Sequence, residues 1–315
     1  MFAILLQTVP FFAIIALGYG ARRTGFFTAE ATAYLTKFVF YFALSAMLFR
    51  FAANLSLSEI LDWQFVWAYL WATGVVYLLA TAVALVRKIG VEQAAVEAQC
   101  AVIGNVGFLG LPMLVLLLGE QAIGPVMLVL AVDLIVFGSL IVILITGSRD
   151  GRVSIGVLQS VGLGLLKNPM IVSITLGLIW SAFQIAIPGP MNAFLDILGS
   201  AATPGALFAI GASLAGKSAD RAEIAGWLSF CKLAVHPLVV ALAALYLFPV
   251  SDPYAAGVMI AAAALPTAGN VYILAQHYGV APTRVSATIL ISTAASILTL
   301  SAVIAWIAPL TGNGG

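Results

Sequence analysis

AVIGNVGFLGLP, residues 101 to 112, interrupts an apolar run of roughly membrane-spanning length with three glycines, an asparagine and a proline. Gly104, Gly107 and Gly110 lower helix stability, Pro112 lacks a backbone donor, and Asn105 is a polar side chain where a helix in lipid should be most regular. Irregular backbone at bilayer depth persists only where protein or a water-filled cavity satisfies the freed polar groups, so the interruption reads as a cavity wall. A second apolar run has the same kind of interruption: ALPTAGN, residues 264 to 270, with Pro266, Gly269 and Asn270. Two broken helices in corresponding parts of two halves point to the binding site of a transporter.

The composition agrees. The chain is 63% hydrophobic and 8% charged, with a mean hydropathy of +1.14, whereas soluble domains carry about 25% charged residues. The 315 residues leave room for about ten helices of roughly 20 residues each and for no soluble domain beside them. The net charge of +1 and the scattering of basic residues singly or in pairs give no nucleic-acid footprint. Cys100 and Cys231 lie in or beside apolar segments without CxxC spacing and read as thiols packed in the membrane. No metal site and no cofactor is expected.

The first apolar run, residues 3 to 20, is followed by Arg22 and Arg23 rather than preceded by positive charge, so it reads as a retained span and not a cleaved leader. Further spans are expected at about 33–52, 65–86, 94–118, 125–146, 168–187, 194–215, 226–248 and 254–278, with a tenth ending near Pro309. The segment between spans 5 and 6 reads as a connection of about twenty residues. Twelve of the thirteen basic residues then fall on one side of the membrane: Arg22, Arg23, Lys37, Arg87, Lys88, Arg149, Arg152, Lys167, Lys217, Arg221, Lys232 and Arg284, against Arg50 alone. Positive charge marks the cytoplasmic side, which places both termini outside and the connection between spans 5 and 6 in the cytoplasm.

Spans 1 and 6 begin near residues 3 and 168, and the interruptions centre near 108 and 267, so both offsets are close to 160. Residues 1–150 and 151–315 thus read as two five-helix repeats. An odd number of spans makes the second repeat enter the membrane from the opposite face. The fold class expected is an all-α membrane protein of ten spans in two inverted repeats, with spans 4 and 9 broken. Each interruption begins a new half-helix whose free N–H groups and positive dipole end suit a carboxylate. Pro112 fits the first turn of the outer half of span 4, and Asn270 fits a cap on the inner half of span 9. Glycine and proline are ordinary in membrane helices, and an asparagine there often only ties two helices together. Two interruptions at matching offsets favour a site.

Other polar positions stand out. Asp133 lies well inside span 5, where an ionisable group is a candidate for binding a proton or cation, or pairs with a neighbouring helix. Lys232 and His236, four apart, share a helix face. Either they take part in transport, or Lys232 snorkels to the cytoplasmic surface and His236 bonds a nearby carbonyl. The aromatics of WQFVWAYLW, residues 63 to 71, read as an interfacial belt.

GNVGFLGLPM at 104–113 resembles the span 4 signature of the auxin efflux carrier family, which includes plant PIN proteins and bacterial carriers of malonate or malate type. NPMI at 168–171, PGALFAIGASLAG at 204–216, KLAVHPL at 232–238, ALPTAGNVYILAQHYG at 264–279 and ISTAAS at 291–296 extend the likeness along the chain. The resemblance implies a fold like that of sodium/proton antiporters, with spans 1, 2, 6 and 7 as a scaffold that often forms a homodimer. Spans 3–5 and 8–10 would be a transport domain that moves as an elevator. It also implies that Asn105, Val106, Gly107, Phe108 and Pro112 hold the substrate, with Pro266, Thr267 and Asn270 across from them. Two departures stand out: Ser45 where family members often have proline, and the absence of the long regulatory loop of plant members.

The function expected is a secondary carrier of small organic anions, carboxylates or aromatic acids, in the cell membrane, with membrane lipid around it. The alternative is a sodium-coupled symporter of the bile acid transporter type. It needs a set of hard oxygen ligands near the interruptions; Glu97, Gln99 and Gln276 lie near but do not make up such a set. No HExxH, GxGD or serine/histidine pair at hydrolase spacing appears within the apolar runs, so an enzyme is not expected. No repeated filter segment indicates a channel.

Overall fold

The computed structural model describes residues 2–55, 62–150, 155–215 and 222–312, and these residues form helices without strands. In chain order they are α1 (Phe2–Arg23), α2 (Ala29–Ala53), α3 (Trp63–Val86), α4 (Val91–Val102), α5 (Val106–Leu118), α6 (Glu120–Arg149), α7 (Ile155–Lys167), α8 (Pro169–Ala182), α9 (Gly189–Leu214), α10 (Ala222–Leu247), α11 (Pro253–Ala263), α12 (Gly269–Tyr278) and α13 (Pro282–Ile307). Six of them, α2, α3, α6, α9, α10 and α13, are long and apolar enough to cross a membrane. Helices α5 and α11 are shorter apolar helices. The protein is a multi-pass membrane protein.

Where the sequence suggests one long connection between spans 5 and 6, α6 runs on to Arg149 and α7 occupies Ile155–Lys167. The apolar residues of VLQSVGLGLL, 157 to 166, recur at helical spacing, which outweighs the two glycines among them. Asn168 then ends the helix. A residue before proline is driven out of the helical region, and Asn168 is extended (φ −77°, ψ 113°). Its side chain accepts from the Met170 N–H at 3.0 Å, capping α8, and the chain bends by 71°. Arg152, Lys217 and Arg221 of the charge count lie outside the described residues.

Two helix pairs pack backbone to backbone. A Cβ on Gly211 of α9 would overlap the Ile15 carbonyl of α1, and one on Gly18 of α1 would overlap the Phe208 carbonyl of α9. Gly177 of α8 likewise faces the Phe49 carbonyl of α2, 2.7 Å from the position of a Cβ. Lipid offers apolar side chains no hydrophobic gain from pairing, so close backbone approach at small residues is what joins such helices. The α1–α9 and α2–α8 pairs form one group. Helices α3–α6 and α10–α13 pack as a second group, with α3 along α4, α10 along α13, and α6 against α4 and α11, while α7 touches α6 and α8. Residues 256 to 263 of α11 are all buried, so its sequence of alanine, glycine, valine, methionine and isoleucine fits a helix enclosed by neighbours on every side.

The 12 residues of α4 and the 11 of α11 rise about 18 and 16 Å at 1.5 Å each. Either length is about half of a hydrocarbon core of roughly 30 Å, so helices ending there end at mid-depth.

Candidate functional site

The interruptions lie side by side. Between α4 and α5 the chain is extended at Ile103 (φ −80°, ψ 112°), and Gly104 pairs antiparallel with Thr267, between α11 and α12. The Asn105 N–H donates to the Pro266 carbonyl at 2.8 Å, and the Ala268 N–H donates to the Ile103 carbonyl at 3.0 Å. The backbone groups freed by one interruption are therefore satisfied by the other, as burial in lipid demands. Thr267 fastens the pair: its hydroxyl donates to the Cys100 carbonyl at 2.9 Å and its N–H to Ser292 Oγ at 3.2 Å. Gly104 permits the approach, since a Cβ there would sit 3.2 Å from the Ala262 carbonyl and 3.4 Å from Lys232 Cε.

Beyond the paired backbone, α5 and α12 both begin on one cavity of about 50 Å³. Its lining includes Asn105, Val106, Gly107 and Phe108 from one interruption, Ala268, Gly269 and Asn270 from the other, and Asp133 of α6. Leu130 and Leu134 of α6 complete that side, and the facing wall comes from the first helix group: Phe40 of α2, Asn168, and Met170 of α8. Phe40 and Phe108 stack with centroids 6.1 Å apart and planes 2° from parallel. The Met170 methyl fills the space where Gly107 lacks a side chain. A water needs roughly 10–15 Å³ of such a volume, so the cavity has room for a few waters.

The amides of Gly107 and Phe108, and of Gly269 and Asn270, belong to first helical turns and have no intrahelical acceptor. Helix α5 starts at Val106 with one wide turn, Val106–Gly110, in which the Gly110 and Leu111 N–H groups reach back five residues. The regular α-helical stretch Leu111–Leu118 follows this turn, and Pro112 falls in its first turn, as its residue type favours. Asn270 does not cap α12: the cap position is Ala268, which offers no side-chain bond. The Asn270 side chain instead has its Oδ1 buried without a partner among the described residues. Asn105 stands just before α5, is buried, and makes no capping bond with its side chain. Either amide presents oxygen or NH2 to the cavity after a half-turn of its end group.

A chain of buried polar groups runs behind the cavity. Asp133 opens a wide turn, Asp133–Phe137, and its Oδ1 accepts from the Tyr69 hydroxyl at 2.8 Å. Asp133 Oδ2 is buried and has no partner among the described residues. Lys232 sits in another wide turn, Cys231–Val235, is fully buried, and donates to the carbonyl of Ala263, the last residue of α11. It therefore does not snorkel. Its ammonium meets a helix C-terminus whose carbonyls lack intrahelical donors and whose dipole favours positive charge. His236 Nδ1 lies 3.3 Å from Lys232 Nζ, and its Nε2 is 3.1 Å from Thr73 Oγ1. Wide turns of this kind are frequent at functional positions.

The cavity brings together Asn105, Val106, Gly107, Phe108, Asn270 and Asp133. Pro266 and Thr267 belong to the backbone pairing beneath it, Lys232 and His236 to the polar chain, and Pro112 to the body of α5. Of the residues near the interruptions considered as ion ligands, Glu97 is 1% exposed and pairs with both Arg87 and Arg284. Gln99 donates to the Phe137 carbonyl at 3.2 Å. Among the described residues no group of three or more His, Cys, Asp or Glu side chains is placed to hold a metal.

Tyr69 and Thr73 went unnoticed in the sequence because Tyr69 lies within the tryptophan-rich stretch. Trp63, Trp67 and Trp71, four apart, are 62%, 58% and 42% exposed along one face, whereas Tyr69 is 1% exposed on another. Helical phase carried the signal. Met170 carried none beyond its place in NPMI, and Phe40 carried none. Ser45 leaves α2 unbroken, its hydroxyl donating to the Phe40 carbonyl at 3.3 Å.

The model of a family described as membrane transport proteins matches residues 3–304. A protein of Rhizobium meliloti (strain 1021) named "Putative malonate transporter" is 33% identical over 300 residues, covering 93% of this chain and 92% of that protein. These matches point to transport rather than to an enzyme. With the family's extent covering nearly all of the helices just described, the chain belongs to the membrane transport protein family that includes the auxin efflux carriers.

Proposed function

We propose that the protein is a secondary carrier of short organic anions, with malonate and similar small carboxylates as its substrate class. The observation that carries this reading is the cavity on which α5 and α12 both begin. Two helix starts, each with free amides and the positive end of a dipole, converge there with the side chains of Asn105 and Asn270. A dicarboxylate has one charge for each helix start. The small volume favours short acids over aromatic ones, and the name of the Rhizobium relative agrees.

In this reading the ten spans form two inverted repeats, with α4–α5 and α11–α12 as the broken fourth and ninth spans. Helices α1, α2, α8 and α9 form the scaffold, and a homodimer assembles through them. Helices α3–α6 and α10–α13 carry the substrate past it as an elevator. Support comes from the two packing groups and from the cavity's position on their boundary, with Phe40, Asn168 and Met170 on one side and the helix starts on the other. The protein lies in the cell membrane with both termini outside and the connection between spans 5 and 6 in the cytoplasm, as the basic residues favour.

The test is uptake of radiolabelled malonate into proteoliposomes. Wild-type protein is expected to take up malonate above empty vesicles. A hydrogen bond to a charged group contributes about 1.5–3 kcal/mol, so Asn105→Ala and Asn270→Ala are each expected to lower malonate kcat/KM roughly ten- to hundredfold. Membrane insertion and elution as a single species should be retained. Wild-type uptake by both variants would remove the proposed site.

A further inference from the structure

Asp133 poses a problem for an anion site. It is 3% exposed, lies in the wall of the cavity on which α5 and α12 begin, and keeps one buried carboxyl oxygen, Oδ2, without a partner among the described residues. A second carboxylate entering that cavity would face it at close range with little water between. Like charges so placed do not both remain ionised.

The surrounding groups do not relieve this. From α3, the Tyr69 hydroxyl donates to Oδ1 and leaves Oδ2 untouched. From α10, Lys232 lies within electrostatic reach, but its ammonium is bonded to the Ala263 carbonyl and faces His236. His236 has both ring nitrogens engaged, one by Lys232 and the other by Thr73. On α4, Glu97 is held by Arg87 and Arg284. The other lining residues, from α2, α5, α6, α8 and the two interruptions, are not ionisable.

Resting on the anion-carrier reading, we infer that Asp133 takes up one proton at Oδ2 as the anion enters, and that proton and anion cross the membrane together. The balance is simple: a proton from the water on one side converts the carboxylate to the acid, the loaded protein exposes the cavity to the other side, and anion and proton leave there. The empty protein returns with Asp133 ionised and Lys232 nearby. Asp133 is thus the coupling residue of a proton–anion symporter, and an acid outside drives uptake.

The experiment uses the full chain in proteoliposomes, with membrane potential clamped by potassium and valinomycin and radiolabelled malonate as probe. Two modes are measured: counterflow into malonate-loaded vesicles, and net uptake driven by a pH gradient, acid outside. With one proton per anion, a gradient of one pH unit sustains about tenfold accumulation by wild-type protein. Asp133→Asn is expected to lose this accumulation entirely while its counterflow is lowered but measurable. Should Asp133→Asn lose counterflow as well, Asp133→Glu decides: gradient-driven uptake by the glutamate variant supports the inference, and its absence overturns it. Wild-type counterflow without any response to the pH gradient, accumulation driven by a sodium gradient instead, or gradient-driven accumulation by Asp133→Asn would each overturn proton coupling and leave the anion-carrier reading standing. Absence of wild-type counterflow with malonate and with other short acids would overturn that reading, and this inference with it.

Discussion

Glu97→Ala is expected to destabilise the protein by about 3–5 kcal/mol, the cost of stranding buried charge by removing its partner. Glu97, at 1% side-chain exposure, joins Arg87 just past the end of α3 and Arg284 near the start of α13, so a single carboxylate holds three elements together. Arg284 is itself 7% exposed and would be left without its counter-charge. The loss should appear as a lowered Tm in detergent and a reduced yield of the single eluting species. Glu97→Gln, which keeps the acceptor oxygen but not the charge, should fall between the two. The same measurement bears on the sodium-coupled alternative: if Glu97 held an ion rather than two guanidiniums, Glu97→Ala would leave Tm unchanged in sodium-free buffer.

Lys232→Met is expected to affect transport more than stability. Methionine matches the length of the buried stem, so the packing around it survives. The Ala263 carbonyl at the end of α11 loses its donor, which costs on the order of 1–3 kcal/mol. The larger effect is electrostatic. Lys232 lies within electrostatic reach of Asp133, and with it gone the ionised Asp133 of the empty, returning protein loses its counter-charge within the membrane. Malonate uptake should fall by about two orders of magnitude, the equivalent of roughly 2.7 kcal/mol, while Tm falls by a few degrees. Uptake within a few-fold of wild type would show Lys232 to be only a cap on the helix end.

These two residues also show which parts of the molecule could be seen in the chain and which could not. The interruptions were legible because Gly, Pro and Asn clusters within apolar runs carry a local cost that only tertiary structure offsets. Their antiparallel pairing through Gly104 and Thr267 was not, since that contact joins segments about 160 residues apart and depends on Ser292 and Cys100 to hold it. Asn270 read as a helix cap because the residue type favours caps. A shift of two positions, with Ala268 at the cap, placed it inside α12 on the lining of the cavity instead. Lys232 read more readily as snorkelling, because its sequence position near a basic end of a span reveals neither the wide turn it sits in nor its burial. Arg284 counted as one more cytoplasmic charge, and its partner Glu97 as a carboxylate near the first interruption that completes no ion site. Neither assignment anticipates that two guanidiniums share one carboxylate, because that pairing is fixed only when α4 and α13 meet.

The most direct measurement is an experimental structure determined with malonate present. Density for the diacid is expected in the cavity, with one carboxylate within hydrogen-bond distance of the Gly107 and Phe108 amides and the other near the Gly269 and Asn270 amides. Malonate bound elsewhere, or unbroken helices through residues 91 to 118 and 253 to 278, would contradict an anion site built from two helix starts.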